Sequence, residues 1–161
     1  MKKIKNDNKG FTLVELIVVL VILAILAAIL VPALLGYIDE AKNKQLELHG
    51  KSVYTAAQAV ASKMYAKNAV PKDETNKKMD GTQTDKAYFI SETKKLSEIS
   101  SFGTSAEARV DFGTTGTDKY KVVKISYTED GTNWVNLDMS SGSSSWVAGT
   151  TATASEVTIT P

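Results

Sequence analysis

Residues 9–35 read KGFTLVELIVVLVILAILAAILVPALL, and their reading decides the fold. From Leu16 to Leu35 run 20 residues with no charged and no strongly polar side chain. At about 1.5 Å per residue, such a helix spans roughly 30 Å, the thickness of a bilayer's hydrocarbon core. Ahead of it, Met1–Gly10 carries four lysines (Lys2, Lys3, Lys5, Lys9) against Asp7 alone, a net of +3. A basic start before an apolar run predicts a cytoplasmic N-terminus with the remainder outside.

Three readings compete for this run. A cleaved secretory signal has an apolar core of about 7–15 residues followed by a small-residue site. Val31-Pro32-Ala33 could serve as that site, but the run is too long and Glu15 interrupts its start. A plain membrane anchor explains the length and leaves Glu15 unexplained. The third reading makes Glu15 functional, and it rests on Lys9-Gly10-Phe11-Thr12-Leu13-Val14-Glu15-Leu16.

Over Lys9 to Ala41 the sequence resembles the type IV prepilin, or class III, signal: a short basic leader ending in Gly, then Phe-Thr-Leu-Val-Glu and an apolar helix. The resemblance implies that prepilin peptidase cuts between Gly10 and Phe11 and that the new amine becomes N-methylphenylalanine. Thr12 and Glu15 fall at the family's subunit-assembly positions and Pro32 at its helix-kinking proline. The ten-residue leader, 1–10, is similar to those of the type IVa class. One departure is visible: where many pilins place a mid-span Gly, this chain has Ala24, Ala27 and Ala28.

The physical logic stands beside that resemblance. A Gly before the cut lets backbone fit closely into a protease cleft. Glu15 lies four residues from Phe11, one turn along the same helix face. A carboxylate beside hydrocarbon is costly unless paired. Either it pairs with the amine that cleavage exposes at Phe11, in its own chain or a neighbour's, or it snorkels to the membrane interface.

Beyond Gly36 the composition becomes mixed and a helical period emerges at Ile38, Ala41, Gln45, Leu46, Val53, Ala56, Ala57, Val60, Ala61 and Met64. Val53, Ala57, Val60 and Met64 form one stripe. Lys67, Asn68 and the Val70-Pro71 step close the helix. Residues 11 to about 67 thus read as one helix, apolar all round over 11–35 and one-sided over 36–67, about 85 Å long if straight. His49, the single histidine, reads as structural or solvated.

The connecting region, 68–105, opens with the polar, turn-rich stretch Pro71–Lys86, which reads as exposed. A short amphipathic helix follows, with apolar positions at Phe89, Ile90, Thr93, Leu96 and Ile99. The distal region, 106–161, changes period. Ala108–Phe112, Tyr120–Tyr127, Trp134–Leu137 and Glu156–Thr160 read as strands, and Asp130-Gly131 marks a hairpin between the second and third. The expected fold class is α+β, a long helix packed on an antiparallel sheet of three or four strands within a globular head, 36–161. Trp146 is expected to pack back on that head.

Chemistry is sparse. Zero cysteines among 161 residues exclude disulfides, thiolate metal sites and a cysteine nucleophile. A near-neutral net charge of +1 leaves no excess of cations for phosphate, so no nucleic acid is expected. There is no phosphate loop, nucleophile elbow or His-containing catalytic pair; no cofactor, metal or enzymatic activity is expected. Asp111, Asp118 and Asp130 sit in or beside turns, where aspartate bonds the backbone.

The family resemblance implies a structural subunit of a type IV pilus. The prepilin would sit as a single span in the cytoplasmic membrane, meet prepilin peptidase and the assembly machinery, and form a homo-polymer outside the cell. Adhesion, aggregation, biofilm formation and twitching motility would be functions of that fibre. The major pseudopilin of a type II-like secretion system is the alternative with nearly the same signal. A single-span surface adhesin that never assembles is the alternative of another class. Many pilins of diderm bacteria staple the distal region with a disulfide, so the lack of cysteine points to a Gram-positive source.

Overall fold

The computed structural model describes residues 10–101, 104–140, 142 and 145–160. The chain divides into two compact units, one ending at Ala41 and the other beginning at Lys42. In the first, helix α1 (Leu13–Tyr65) begins. Its side chains there are exposed from Leu13 through Ile38.

In the second unit α1 turns one face inward. Leu46, Gly50, Val53, Ala57, Val60 and Met64 are buried at spacings of three and four, the stripe that the sequence displays. The helix ends at Tyr65 in a Schellman closure. Asn68 takes the left-handed conformation at φ 52°; its N–H reaches the Tyr65 carbonyl, and the Ala69 N–H reaches that of Met64 at 3.1 Å.

Against this face packs a five-stranded antiparallel sheet. Its strands are β1 (Glu107–Phe112), β2 (Val122–Thr128), β3 (Trp134–Asp138), β4 (Trp146–Gly149) and β5 (Val157–Ile159), in the order β4-β3-β2-β1-β5. The fold is the expected α+β arrangement; the strand number of three or four is corrected to five. The additional strand is β4, an edge whose pairing is carried by backbone, Trp146 opposite Leu137 and Val147 opposite Asn136. Alternate residues of the other strands face α1: Ala108, Val110, Ile125, Tyr127, Val135, Leu137, Val157 and Ile159 join the α1 stripe in one core.

Trp146 packs against α1 where Gly50 leaves room. A Cβ on Gly50 would stand 2.9 Å from the Trp146 ring and 3.3 Å from Val135. His49, one residue earlier, contacts the Glu129 carboxylate and meets the Tyr127 ring edge-to-face. Tyr127 also donates to that carboxylate at 3.5 Å. Burial, then the Glu129 charge, pushes the Tyr127 phenol above its ordinary range.

The sheet's other face is covered too. Residues 151–154 cross it, and Ser126 and Asn136, direct partners on β2 and β3, hold them. Ser126 Oγ donates to Asn136 Oδ1 and accepts the N–H groups of Thr153 and Ala154 at 2.9 and 3.0 Å. That uses its one donor and both lone pairs.

Helix α2 (Asp85–Ser97) is capped by Thr84. It buries Phe89, Thr93 and Ser97, four residues apart, while Leu96 is 59% exposed; the expected place of Leu96 on the inner face is corrected. The stretch 71–86 is likewise not simply exposed. Asp85 is buried, accepting the N–H groups of Val70 and Lys78 on its two oxygens, and Met79 lies in the core.

Three turns share one construction. In DETN (73–76), DGTQ (80–83) and DGTN (130–133), the first carboxylate accepts the backbone N–H groups two and three residues on. The closing Asn or Gln amide then returns to its second oxygen. These N–H donors, led by Thr75, Thr82 and Asn133, hold Asp73 and Asp130 well below the usual carboxylate range and Asp80 at about 2. At the β2–β3 turn, Gly131 adopts φ 76°, a conformation that side chains resist.

Candidate functional site

The sequence places Gly10, Phe11, Thr12 and Glu15 at the head of α1, and the structure shows how that end is built. Gly10, Phe11 and Thr12 precede the helix in non-helical backbone. Thr12 is the N-cap, and Glu15 is the third helical residue. The Thr12 N–H donates to Glu15 Oε2 at 2.9 Å, the Thr12 hydroxyl donates to the same oxygen at 2.7 Å, and the Glu15 N–H returns to Thr12 Oγ1 at 3.3 Å. This is a capping box, in which two otherwise orphaned helix-start donors are satisfied reciprocally. The sequence reading missed it, although Thr-x-x-Glu before an apolar run is its signature.

Gly10 is exposed, with nothing within 4 Å of where a Cβ would stand. Nothing in the fold of the described residues requires a glycine there. Phe11 is 84% exposed, so the Gly10–Phe11 bond stands clear of packing by the described residues. Residues 1–9, most of the expected leader, lie outside the described residues.

From Leu13 to Leu35 every large apolar side chain of α1 is half or more exposed, and the helix is long and apolar enough to cross a membrane. The helix continues through Pro32, whose ring nitrogen has no hydrogen for the Ala28 carbonyl. Among the described residues, no group of three or more His, Asp or Glu could hold a metal ion.

Basic leader, open Gly–Phe bond, capped Thr-x-x-Glu and naked apolar helix together have a counterpart among known families. Residues 5–31 match the prokaryotic N-terminal methylation motif. The chain carries the class III signal of type IV pilins. No curated protein and no solved structure matches the chain. A signal of this class marks a prepilin of the pilin or pseudopilin kind, with an apolar helix long enough to anchor it in the membrane. The match ends at Val31, within the apolar half of α1, and covers none of the residues that build the sheet.

Proposed function

We propose that the chain is a subunit of a type IV pilus. The prepilin is cut between Gly10 and Phe11 by prepilin peptidase, N-methylated at Phe11 and polymerised with copies of itself by the membrane assembly machinery. Residues 11–35 serve first as membrane span and then as fibre core, and the head beyond them is displayed outside. In this reading Glu15 pairs with the Phe11 amine of a neighbouring subunit, Thr12 supports it, and Pro32 lets the helix bend. Adhesion, aggregation, biofilm formation and twitching motility are the functions such a fibre would serve.

The observation that carries this reading is the methylation motif, residues 5–31, running into an apolar helix half that no side chain covers among the described residues. A lipid bilayer and a bundle of like helices both cover such a surface. Electron microscopy and mass spectrometry of filaments sheared from cells provide the test. The expected result is this chain as the bulk component, starting at N-methylphenylalanine 11. Recovery only from cell envelopes, cleaved but without surface filaments, would favour the pseudopilin; a chain still starting at Met1 would favour the unassembled adhesin.

A further inference from the structure

The last two turns of the α1 face in the head and the 3₁₀ turn Gly116–Tyr120 enclose a groove of about 390 Å³ lined by Gln58, Ser62, Tyr65, Thr117, Tyr120 and Lys121. Its floor is fixed. The Gln58 amide donates to the Tyr120 carbonyl at 3.1 Å and accepts the Val122 N–H at 2.9 Å, tying helix to turn. Its wall is aromatic: Tyr65 and Tyr120 meet edge-to-face with centroids 5.0 Å apart. Tyr120 is 5% exposed, whereas Tyr65 keeps 52% of its surface in solvent. The buried ring therefore props up an open one.

The rim carries hydroxyls. Those of Tyr65 and Thr117 make no hydrogen bond among the described residues, and Ser62, which donates to the Gln58 carbonyl at 2.8 Å, keeps acceptor capacity. Charge is nearly balanced: Lys121 is engaged by Asp118 at 2.7 Å, and Lys119 lies over the Tyr120 ring at 5.3 Å. An anion would find one ammonium already neutralised. An apolar side chain would strand the hydroxyls at a cost. A pyranose ring suits both parts, with an apolar C–H face for tyrosine and hydroxyls for the rim. The volume falls within the range of small-molecule sites.

We propose that this groove binds a neutral saccharide unit, with Tyr65 as the stacking platform and Thr117 and Ser62 as hydrogen-bond partners. The assignment does not depend on cleavage or polymerisation. The full-length chain in detergent micelles is titrated with galactose, N-acetylglucosamine and their β-linked disaccharides, and the amide shifts of Ser62, Tyr65, Thr117 and Lys121 are followed by NMR. At least one sugar should move these amides saturably at millimolar concentration. Tyr65→Ala should weaken that sugar about tenfold or more, the scale of a lost aromatic stack plus its buried area, and Tyr65→Phe, which keeps the ring, by about threefold or less. Leu96→Ala, on α2 and outside the groove's lining, should change nothing. Absence of saturable shifts with every sugar, or shifts indifferent to Tyr65→Ala, would overturn the proposal.

Discussion

Thr12 and Glu15 hold each other across the first turn of α1, with hydroxyl and carboxylate 2.7 Å apart. The bonds converge on Glu15 Oε2 and leave Oε1 without a partner among the described residues. The carboxylate can therefore cap its own helix and still accept a cation from elsewhere. Capping and the proposed inter-subunit pairing are thereby separable roles for one side chain.

Replacing Glu15 by Gln separates them. Glutamine also closes a capping box, so membrane insertion and cleavage should proceed as in the wild type. The lost charge removes the partner for the Phe11 amine inside the fibre, where an unpaired ion is costly. Filament number should fall on the order of tenfold or more, counted by electron microscopy, while mass spectrometry still finds Phe11 at the N-terminus. Wild-type filament numbers would leave Glu15 as a snorkelling interface residue.

Gly10→Val addresses processing. The fold leaves open space at Gly10, so a branched side chain costs the protein itself little; in a protease cleft the same group blocks close backbone approach. The uncleaved precursor should accumulate in the membrane fraction, visible on immunoblots as a band heavier by the leader. Cleaved protein at the wild-type level would refute the assigned bond.

Residues 42–161, freed of the apolar half, should be soluble, monomeric and cooperatively folded. All the core side chains come from Leu46 or later, so truncation removes no packing from the head. Light scattering and calorimetry decide the matter; a truncated head that aggregates, or that melts without a heat-absorption peak, would contradict it.

The long helix and the β2–β3 hairpin were legible because a single local signal determines each. The four-residue stripe Val53–Ala57–Val60–Met64 needs only a helical period, and Asp130-Gly131 between two β-rich runs needs only a turn. What escaped depends on partners distant in sequence. β4 lies in a Ser/Thr-rich stretch with one apolar pair, Trp146-Val147, and gains its place from β3 backbone and from the gap at Gly50. Asp85 looks like any charged loop residue until the Val70 and Lys78 N–H groups close on it. Leu96 fits an amphipathic face on paper, yet α2 is phased by Phe89 and the small residues Thr93 and Ser97, which allow close approach. At the N-terminal site, residue types and spacing are legible in the motif, while the reciprocal Thr12–Glu15 bonding is hidden because a Glu at the edge of an apolar run serves equally as a charge to be paired and as a cap.

The three Asp-x-Thr turns give the head an acid limb. Folding lowers these carboxylates below their unfolded values, so their stabilisation is present above about pH 4 and lost as pH falls through the folded values. The melting temperature of the 42–161 head should hold between pH 7 and 5 and decline below 4. Asp130→Asn should melt roughly 3–5 °C lower at pH 7, and the gap between its curve and the wild type's should narrow as pH falls from 4 to 2. Parallel curves for the two proteins down to pH 2 would show that Asp130 is not part of the acid response.

Gly50 and Trp146 provide a test in which one substitution changes sign. In a helix interior, Gly→Ala stabilises by about 1 kcal/mol when nothing else changes. Here the added Cβ would stand 2.9 Å from the Trp146 ring, forcing that ring off α1 and loosening β4 from its seat, an overpacking cost of about 1–3 kcal/mol. Gly50→Ala should therefore be neutral to destabilising in the native head. In a Trp146→Ala background the ring is gone and only the 3.3 Å approach to Val135 remains, so the same substitution should stabilise by part of the helix-propensity gain. Chemical denaturation of the four proteins in a double-mutant cycle gives the coupling, expected at about 1–3 kcal/mol. A gain of equal size in both backgrounds would mean that Trp146 does not rest on Gly50, and that β4 is held by its hydrogen bonds to β3 alone.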